Sequence, residues 1–563
     1  MPTDTPRLIL LVIFCVSVFM LGERWYETYG PKPAPRQEIS GPAVDAGTIP
    51  TPSGTTTSQV TPSPSAATPS SSGVPAPTVA AVGSGEVVTV QTDLIKVDVN
   101  TLGGDIRRIE LLQHKDTIDK DRNFTLLQTS SEHTYWAQTG LIGPNLPNHK
   151  SLFKPSAASL VLEPGADSVQ LVLTAQEAGG PVVYKRLTFH RGTYVIDVAY
   201  EIVNDTGTPV VPNAYYQVVR DDKTPAGGSR WVPTYTGVAL YTEKDKYTKV
   251  SYSDIAKGKA TVPKNVPDGW IGMVQHYFVS AWLPPNGTSR EFYVRALGDG
   301  LFAAGVIVPP GTAEPGGKLT WNVPFYAGPE EQDKLEALAP GLNLTVDYGW
   351  FTIIATPLFW GLSAIHDVVG NWGVAIIIVT IIIKLLFFPL SAASYKSMAK
   401  MRLMAPKLQK LKEQHGDDRQ KLHQAMMELY KTEKINPLGG CLPIVIQIPV
   451  FISLYWVLLG SVEMRHAPFM LWIQDLSRPD PFYVLPILMG ISMILQARLN
   501  PEPPDPIQAK VMKIMPVAFS IFFFFFPAGL VLYWLVNNIL SIAQQWTITR
   551  QLEQSGVGAR SKR

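Results

Sequence analysis

The chain has 563 residues, of which 46% are apolar and only 17% charged; ordinary soluble proteins carry about 25% charge, so part of this one must lie outside water. Lys and Arg number 48 against 46 Asp and Glu, a formal net charge of +2, which excludes a global basic field of the kind that binds nucleic acid. Two cysteines, Cys15 and Cys441, stand far apart in apolar runs and exclude a disulfide framework, a CxxC pair and a structural zinc set.

Leu8 to Leu21 is an apolar run behind Arg7 and ahead of Glu23, Arg24, Trp25 and Tyr26. Signal-peptide cleavage needs small residues at both flanking positions, and here Gly22 is paired with bulky Met20. Residues 1–26 therefore read as an uncleaved signal anchor, and Phe14 speaks against a lipoprotein role for Cys15. Residues 27–85 turn to Pro, Ser, Thr, Ala and Gly, a composition that cannot bury enough apolar area to offset its ordering entropy, and are read as a disordered linker.

From 86 to 335 the period becomes two. Ile95, Val97 and Val99 alternate with Lys96 and Asp98, and Ile196, Val198, Tyr200 and Ile202 with Asp197 and Glu201. Gly103-Gly104, Gly179-Gly180 and Gly227-Gly228 punctuate the runs, which predicts one large antiparallel β sandwich.

Beyond Asp347 the chain is apolar. Trp372 to Leu390, Leu442 to Leu459, Phe482 to Gln496, Val511 to Phe526 and Pro527 to Trp546 are five candidate spans, the last two joined by a hairpin at Phe526-Pro527-Ala528-Gly529. Segment 391–437 holds ten basic residues against five acidic and is assigned to the cytoplasm with the basic tail 550–563. Parity then puts the sandwich outside, in the periplasm of a Gram-negative cell. It also makes 336–371 an interfacial region. Within it Thr352, Thr356, Ser363 and Asp367 share one face of an amphipathic helix over Phe351 to Val369. The predicted fold is a polytopic α-helical membrane protein, a signal anchor plus a five-helix core over 372–549, with a large all-β periplasmic domain.

In the cytoplasmic segment Met398, Met401, Met404, Leu408 and Leu411 step by three and four, and Leu422, Ala425, Met426 and Leu429 do so after His415-Gly416-Asp417. This predicts an antiparallel helical hairpin whose methionines form a packing seam or a flexible apolar binding face. Its basic outer face suits anionic lipid.

Motifs of soluble enzymes are absent. Gly311 to Lys318 lacks the Lys and Ser or Thr of a phosphate loop, no HExxH or GxSxG occurs, and His133, His190 and His276 have no ligand spacing. No metal, nucleotide or other cofactor is expected, and the chain is not read as an enzyme. The polar residues inside the spans are the exception, because an ionised group at a span centre costs about 2.5–3.5 kcal/mol. Lys384 lies between Ile383 and Leu385, Thr380 one turn earlier, Gln447 in the second span, Asn537 and Asn538 in the last, and Gln544 and Gln545 near its inner end. They can pool into a wet cavity with one cation. Against this, Lys384 can snorkel to the cytoplasmic headgroups, and the amides and Thr380 can be interhelical hydrogen bonds. Lys513, at a span edge, reads as a snorkelling anchor.

Pro389-Leu390, Ser397-Met398-Ala399-Lys400-Met401, Asn436-Pro437-Leu438-Gly439-Gly440-Cys441, Gln447-Ile448-Pro449, Gly460-Ser461-Val462-Glu463, Asp480-Pro481-Phe482-Tyr483 and Pro527-Ala528-Gly529-Leu530 occur in that order. Together they resemble the bacterial YidC branch of the YidC/Oxa membrane-protein insertases. The resemblance is close over Asp347 to Glu553 and extends in layout to the anchor, linker and sandwich. It implies five core helices around a hydrophilic groove open to cytoplasm and lipid, with the cation of the first core helix inside. Here that cation is Lys384, where much of the family has Arg; the charge is kept and the bidentate fork lost. Thr380 and Gln447 match groove-lining positions, and Tyr533 and Trp534 match aromatic positions facing substrates, with Asn537 and Asn538 one turn on.

The resemblance further implies a supersandwich outer domain and an inner-membrane location with both termini cytoplasmic. It implies nascent membrane proteins as substrates. Ribosomes and signal-recognition targeting factors would meet the hairpin and tail, and the protein would work alone or beside the Sec translocon and its accessory subunits. Two other readings stand beside it. An intramembrane lysine can serve an ion-coupled transporter or channel, though no repeated halves are visible. The sandwich can also belong to a membrane-anchored glycan-binding protein, a reading by fold analogy.

Overall fold

The computed structural model describes residues 49–50, 85–130, 133–223, 225, 234–415, 419–432, 442–499, 510, 514–516, 518 and 520–554. The signal anchor, the linker apart from 49–50 and 85, Gly227-Gly228, Gly416-Asp417, the string Asn436 to Cys441, Lys513 and the tail beyond 554 lie outside them. The chain divides between Val346 and Asp347 into two compact units.

Among the described residues, the first unit holds two nine-stranded sheets. Alternation in the sequence becomes alternation in burial: Val182–His190 and Val195–Val203 pair antiparallel, each with every second side chain buried. Ile196, Val198, Tyr200 and Ile202 supply the inward phase to one continuous core. Lys318–Pro329 joins Val195–Val203 on its other edge, from Val195 opposite Tyr326 to Val203 opposite Lys318. One pair departs from the expected antiparallel order, since Val87–Gln91 runs parallel to Ser159–Val161. A crossover separates these two strands, so no hairpin constrains their direction. Two short helices, α1 (Tyr252–Ala256) and α2 (Gln332–Leu338), complete the unit.

A buried lysine lies on the inward phase. Lys185 donates to the carbonyls of Gly103 (3.1 Å) and Gly104 (2.7 Å), which positive φ values of 76° and 63° turn back toward the core. Burial pushes its ammonium pKa down to about 8, with the nearby Asp105 opposing. Asp105, itself buried, accepts from Arg107 (2.8 Å) and Gln138 (2.9 Å).

The second unit is helical. Its elements are α3 (Thr352–Val369), α4 (Trp372–Leu386), α5 (Phe388–Leu403), α6 (Ala405–His415), α7 (Arg419–Thr432), α8 (Leu442–Gly460), α9 (Val484–Leu499) and α10 (Ala528–Gln554). Among the described residues one helix, Gly349–Val369, is by itself long and apolar enough to cross a membrane; this is the segment read above as interfacial, so length alone does not set it apart from a span. Val484–Leu499 has 16 residues, fewer than the roughly 20 a straight span needs.

The sequence reading differs at two breaks. Trp372 to Leu390 is not one straight span: α4 ends at Leu386 and the chain turns by 67° into α5. Pro389 explains it, because a ring without an N–H is accommodated in the first turn of a new helix and not in the interior of an old one. The first arm of the hairpin is likewise divided at Met404, with Pro406 in the opening turn of α6 by the same logic. Met404 and Leu408 are nonetheless buried, and α6 packs on α7 as the pairing requires. At the other end of the unit, the break at Phe526-Pro527 before α10 stands as expected.

The connection 461–483 is organised by two buried carboxylates. Asp475 accepts from the backbone of His466 (3.1 Å) and from Ser477 N (2.9 Å) and Oγ (2.6 Å), while Asp480 accepts from Trp472 Nε1 (2.9 Å) and from the backbone of Phe482 (3.0 Å) and Leu485 (2.8 Å). Burial raises the Asp475 carboxyl, but hydrogen bonds from His466 and Ser477 outweigh it and leave the pKa below its ordinary value. The connection is fastened at both ends: Asn371 Nδ2 donates to Phe469 O (2.9 Å) while its Oδ1 caps α4 at Val374 N (3.0 Å), and Ala528 and Gly529 donate to Arg478 O (2.7 Å) and Leu476 O (2.9 Å).

Candidate functional site

The 67° turn after Leu386 puts Lys384 in the last turn of α4, where carbonyls without intrahelical partners favour a cation. The helix face divides sharply there. Lys384 is 8% exposed, whereas its neighbours Leu385 and Leu386 are 66% and 72% exposed. Its Nζ donates to Ser541 Oγ at 2.7 Å, and among the described residues no carboxylate lies within ion-pair distance. It is also the only buried basic side chain of the helical unit among those residues.

Ser541 is fixed from its own helix, donating to Asn537 O one turn back (2.7 Å). The side chain of Asn537 accepts from Gln447 Nε2 of α8 (3.1 Å). Gln447, Asn537, Ser541 and Lys384 thus form one polar chain across α8, α10 and α4. Asn538 points elsewhere, donating to Ser492 Oγ of α9 (2.7 Å), because consecutive residues on a helix face about 100° apart. The amides expected to pool are therefore divided between two sides of α10. Gln544 reaches Phe388 O (3.4 Å) and Gln545 reaches Leu499 O (3.3 Å).

Thr380 shares the buried face of α4 but does not join the chain; its hydroxyl donates to Ile376 O within its own helix (2.6 Å). Tyr533 and Trp534 are buried among other rings. Phe451 stacks on Trp534 with centroids 5.1 Å apart, and Phe523 meets it edge-on at 4.6 Å. The Tyr533 hydroxyl and Trp534 Nε1 have no hydrogen-bond partner among the described residues. Met398, Met401 and Met426 are half-buried on the hairpin helices.

Sequence reasoning missed Ser541 and Ser492. A serine inside a span is inexpensive and does not stand out, yet Ser541 lies four residues after Asn537, the spacing of neighbours on one helix face. No group of side chains suited to a metal ion occurs among the described residues.

These features define an α-helical membrane unit with one buried basic side chain among the described residues, joined to a large β sandwich. The model of the YidC periplasmic domain matches residues 87–361, and that of the 60Kd inner membrane protein matches 364–555. Membrane protein insertase YidC of Methylobacillus flagellatus is 57% identical over 98% of both chains. That of Aromatoleum aromaticum is 55% identical over 99% of this chain and all of its own. The chain belongs to the YidC family of membrane protein insertases. A solved structure described as an active YidC insertase aligns at a TM-score of 0.38 and 18% identity, covering 82% of this chain and 94% of that one; the assignment rests on the sequence relatives.

Proposed function

We propose that this chain inserts nascent membrane proteins into the bacterial inner membrane, with Lys384 as the cation that receives the acidic, translocated tail of the substrate. The observation that carries the reading is the state of that ammonium: buried, without a carboxylate partner among the described residues, and tied to a single hydroxyl. A lysine held so retains N–H donors for an incoming carboxylate, and in a medium of low dielectric their attraction is strong. A hydrated groove around it shortens the dry path that polar residues cross. Burial of the substrate's apolar span, at roughly 25 cal/mol per Å², supplies the driving force, with no nucleotide and no covalent step.

In this reading the anchor 1–26 and linker 27–85 tether a periplasmic sandwich over 86–335. Segment 336–371 lies in the outer interface. The core 372–549 spans five times around the cytoplasmic hairpin 391–437, and the tail 550–563 ends in the cytoplasm. Hairpin and tail meet ribosomes, targeting factors and anionic lipid, and the protein works alone or beside the Sec translocon. Thr380, Gln447, Tyr533, Trp534 and Asn537 line the substrate path, Asn538 supports it from the other side of α10 through Ser492, and the hairpin methionines Met398, Met401, Met404 and Met426 stand at its cytoplasmic mouth.

The test is insertion of a single-span substrate with an acidic tail by Lys384→Ala and Lys384→Arg. Loss of a hydrogen bond between charged groups predicts a drop of about tenfold or more for Lys384→Ala, with Lys384→Arg near wild type. Equal activity of all three would remove the charge from the mechanism.

A further inference from the structure

We propose that Ser541 is a positioning residue that keeps the Lys384 ammonium inside the helical unit and stops it from snorkelling to the cytoplasmic headgroups. The inference rests on the reading of Lys384 as the substrate-receiving cation. A lysine in the last turn of its helix has a flexible four-carbon stem and a short route to the interface. The two residues that follow it, Leu385 and Leu386, point outward and are largely exposed, while Lys384 turns the opposite way and is buried. Something must hold it there, and among the described residues there is one side-chain partner, Ser541 Oγ at 2.7 Å.

The hydroxyl is suited to that task by its own bonding. It has one proton, given to Asn537 O on α10, so it meets Lys384 only as an acceptor. Ser541 is therefore oriented by α10 and faces α4, and it occupies one N–H of an ammonium that has three. The remaining donors stay available to a carboxylate. An alcohol serves here where a carboxylate would not, because a full negative charge would neutralise the cation and compete with the substrate.

The experiment compares Ser541→Val with Ser541→Thr, two side chains of one shape that differ in the hydroxyl, in the full-length protein in inverted inner-membrane vesicles. Two quantities are read. The first is the ratio of insertion of an acidic-tailed substrate to that of the same substrate with Asp and Glu replaced by Asn and Gln. The second is labelling of Lys384 from the cytoplasmic face by a membrane-impermeant succinimidyl ester, measured by mass spectrometry. Ser541→Val lowers the ratio about tenfold, the scale of a lost hydrogen bond to a charged group, and raises labelling severalfold; Ser541→Thr retains both wild-type values. Should Ser541→Val fail to accumulate, the smaller Ser541→Ala is read the same way. Wild-type values in the variant lacking the hydroxyl, with a flattened ratio in Lys384→Ala, overturn the inference alone. Equal defects in Ser541→Thr and Ser541→Val do so as well, since packing would then explain both. A ratio unchanged in Lys384→Ala overturns the reading of the cation, and this inference with it.

Discussion

Lys185 and Lys384 are both buried, yet they are held in opposite ways. Lys185 spends donors on two backbone carbonyls and lies near Asp105, whereas Lys384 has a serine and a helix end. The first is a structural device, and its removal is a stability experiment. Lys185→Met leaves two carbonyls without a donor and Asp105 without one of its cations, and is expected to cost about 3 kcal/mol. The pH dependence gives a second check. The unfolded chain still binds a proton between pH about 8 and the ordinary value of 10.5 that folded Lys185 has released, so wild-type stability rises with pH across that window. Denaturation midpoints of the sandwich, followed by protease resistance in the full chain, should show this rise in wild type and not in Lys185→Met. Lys384 was legible in the sequence because a charge between Ile383 and Leu385 has no inexpensive explanation. Lys185 was overlooked although Val183 and Leu187, two residues to either side, lie on the inward phase of its strand, which was the available signal.

Among the elements, prolines decide where the helices of the second unit stop. Hydropathy is continuous through Phe387, and the stepping of Met401, Met404 and Leu408 by three and four continues through Met404, so a reading by apolar periodicity runs across both breaks, whereas Pro389 and Pro406 mark them. The start of α4 is set by the Asn371 cap and also by a close contact. Gly373 lies against Phe469, and a Cβ built there would come 2.0 Å from the ring's Cδ2 and 2.9 Å from Phe469 Cβ. Rotating the ring would relieve the first contact but not the second, since the Phe469 backbone bonds Asn371 and Ile473 and so fixes its Cβ. Gly373→Val is expected to destabilise by roughly 1–3 kcal/mol, the usual cost of overpacking, and to loosen the 461–483 connection. Increased proteolysis within that connection would check it; unchanged cleavage and melting would show the contact to be dispensable. No sequence pattern marks Gly373, because its neighbour is 96 residues away.

At the scale of the molecule, the sandwich was readable from period-two alternation in strands such as Ile95–Asn100 and Val195–Val203, whereas Gly237–Thr242 and Trp270–Gln275, buried on both faces, carry no such alternation. The parallel pair and the inward Lys185 were not readable either, since both depend on which strands meet. The helical unit was legible in its polar residues and less so in their pairing, which is fixed by three helices at once. The chain divides into two compact units, the division expected of parts that can be removed separately. Deleting 86–335 while retaining the anchor should leave insertion of a short acidic-tailed substrate comparable to that of the full chain, as reconstituted vesicles can measure. A complete loss would favour a protein whose work is done by the sandwich.

Asn537 and Asn538 are adjacent in the chain, but one bonds Gln447 of α8 and the other Ser492 of α9. A single post thus carries two latches facing different ways. Removing one by substitution leaves the other in place, so Asn537→Ala would loosen the tie to α8 and Asn538→Ala the tie to α9.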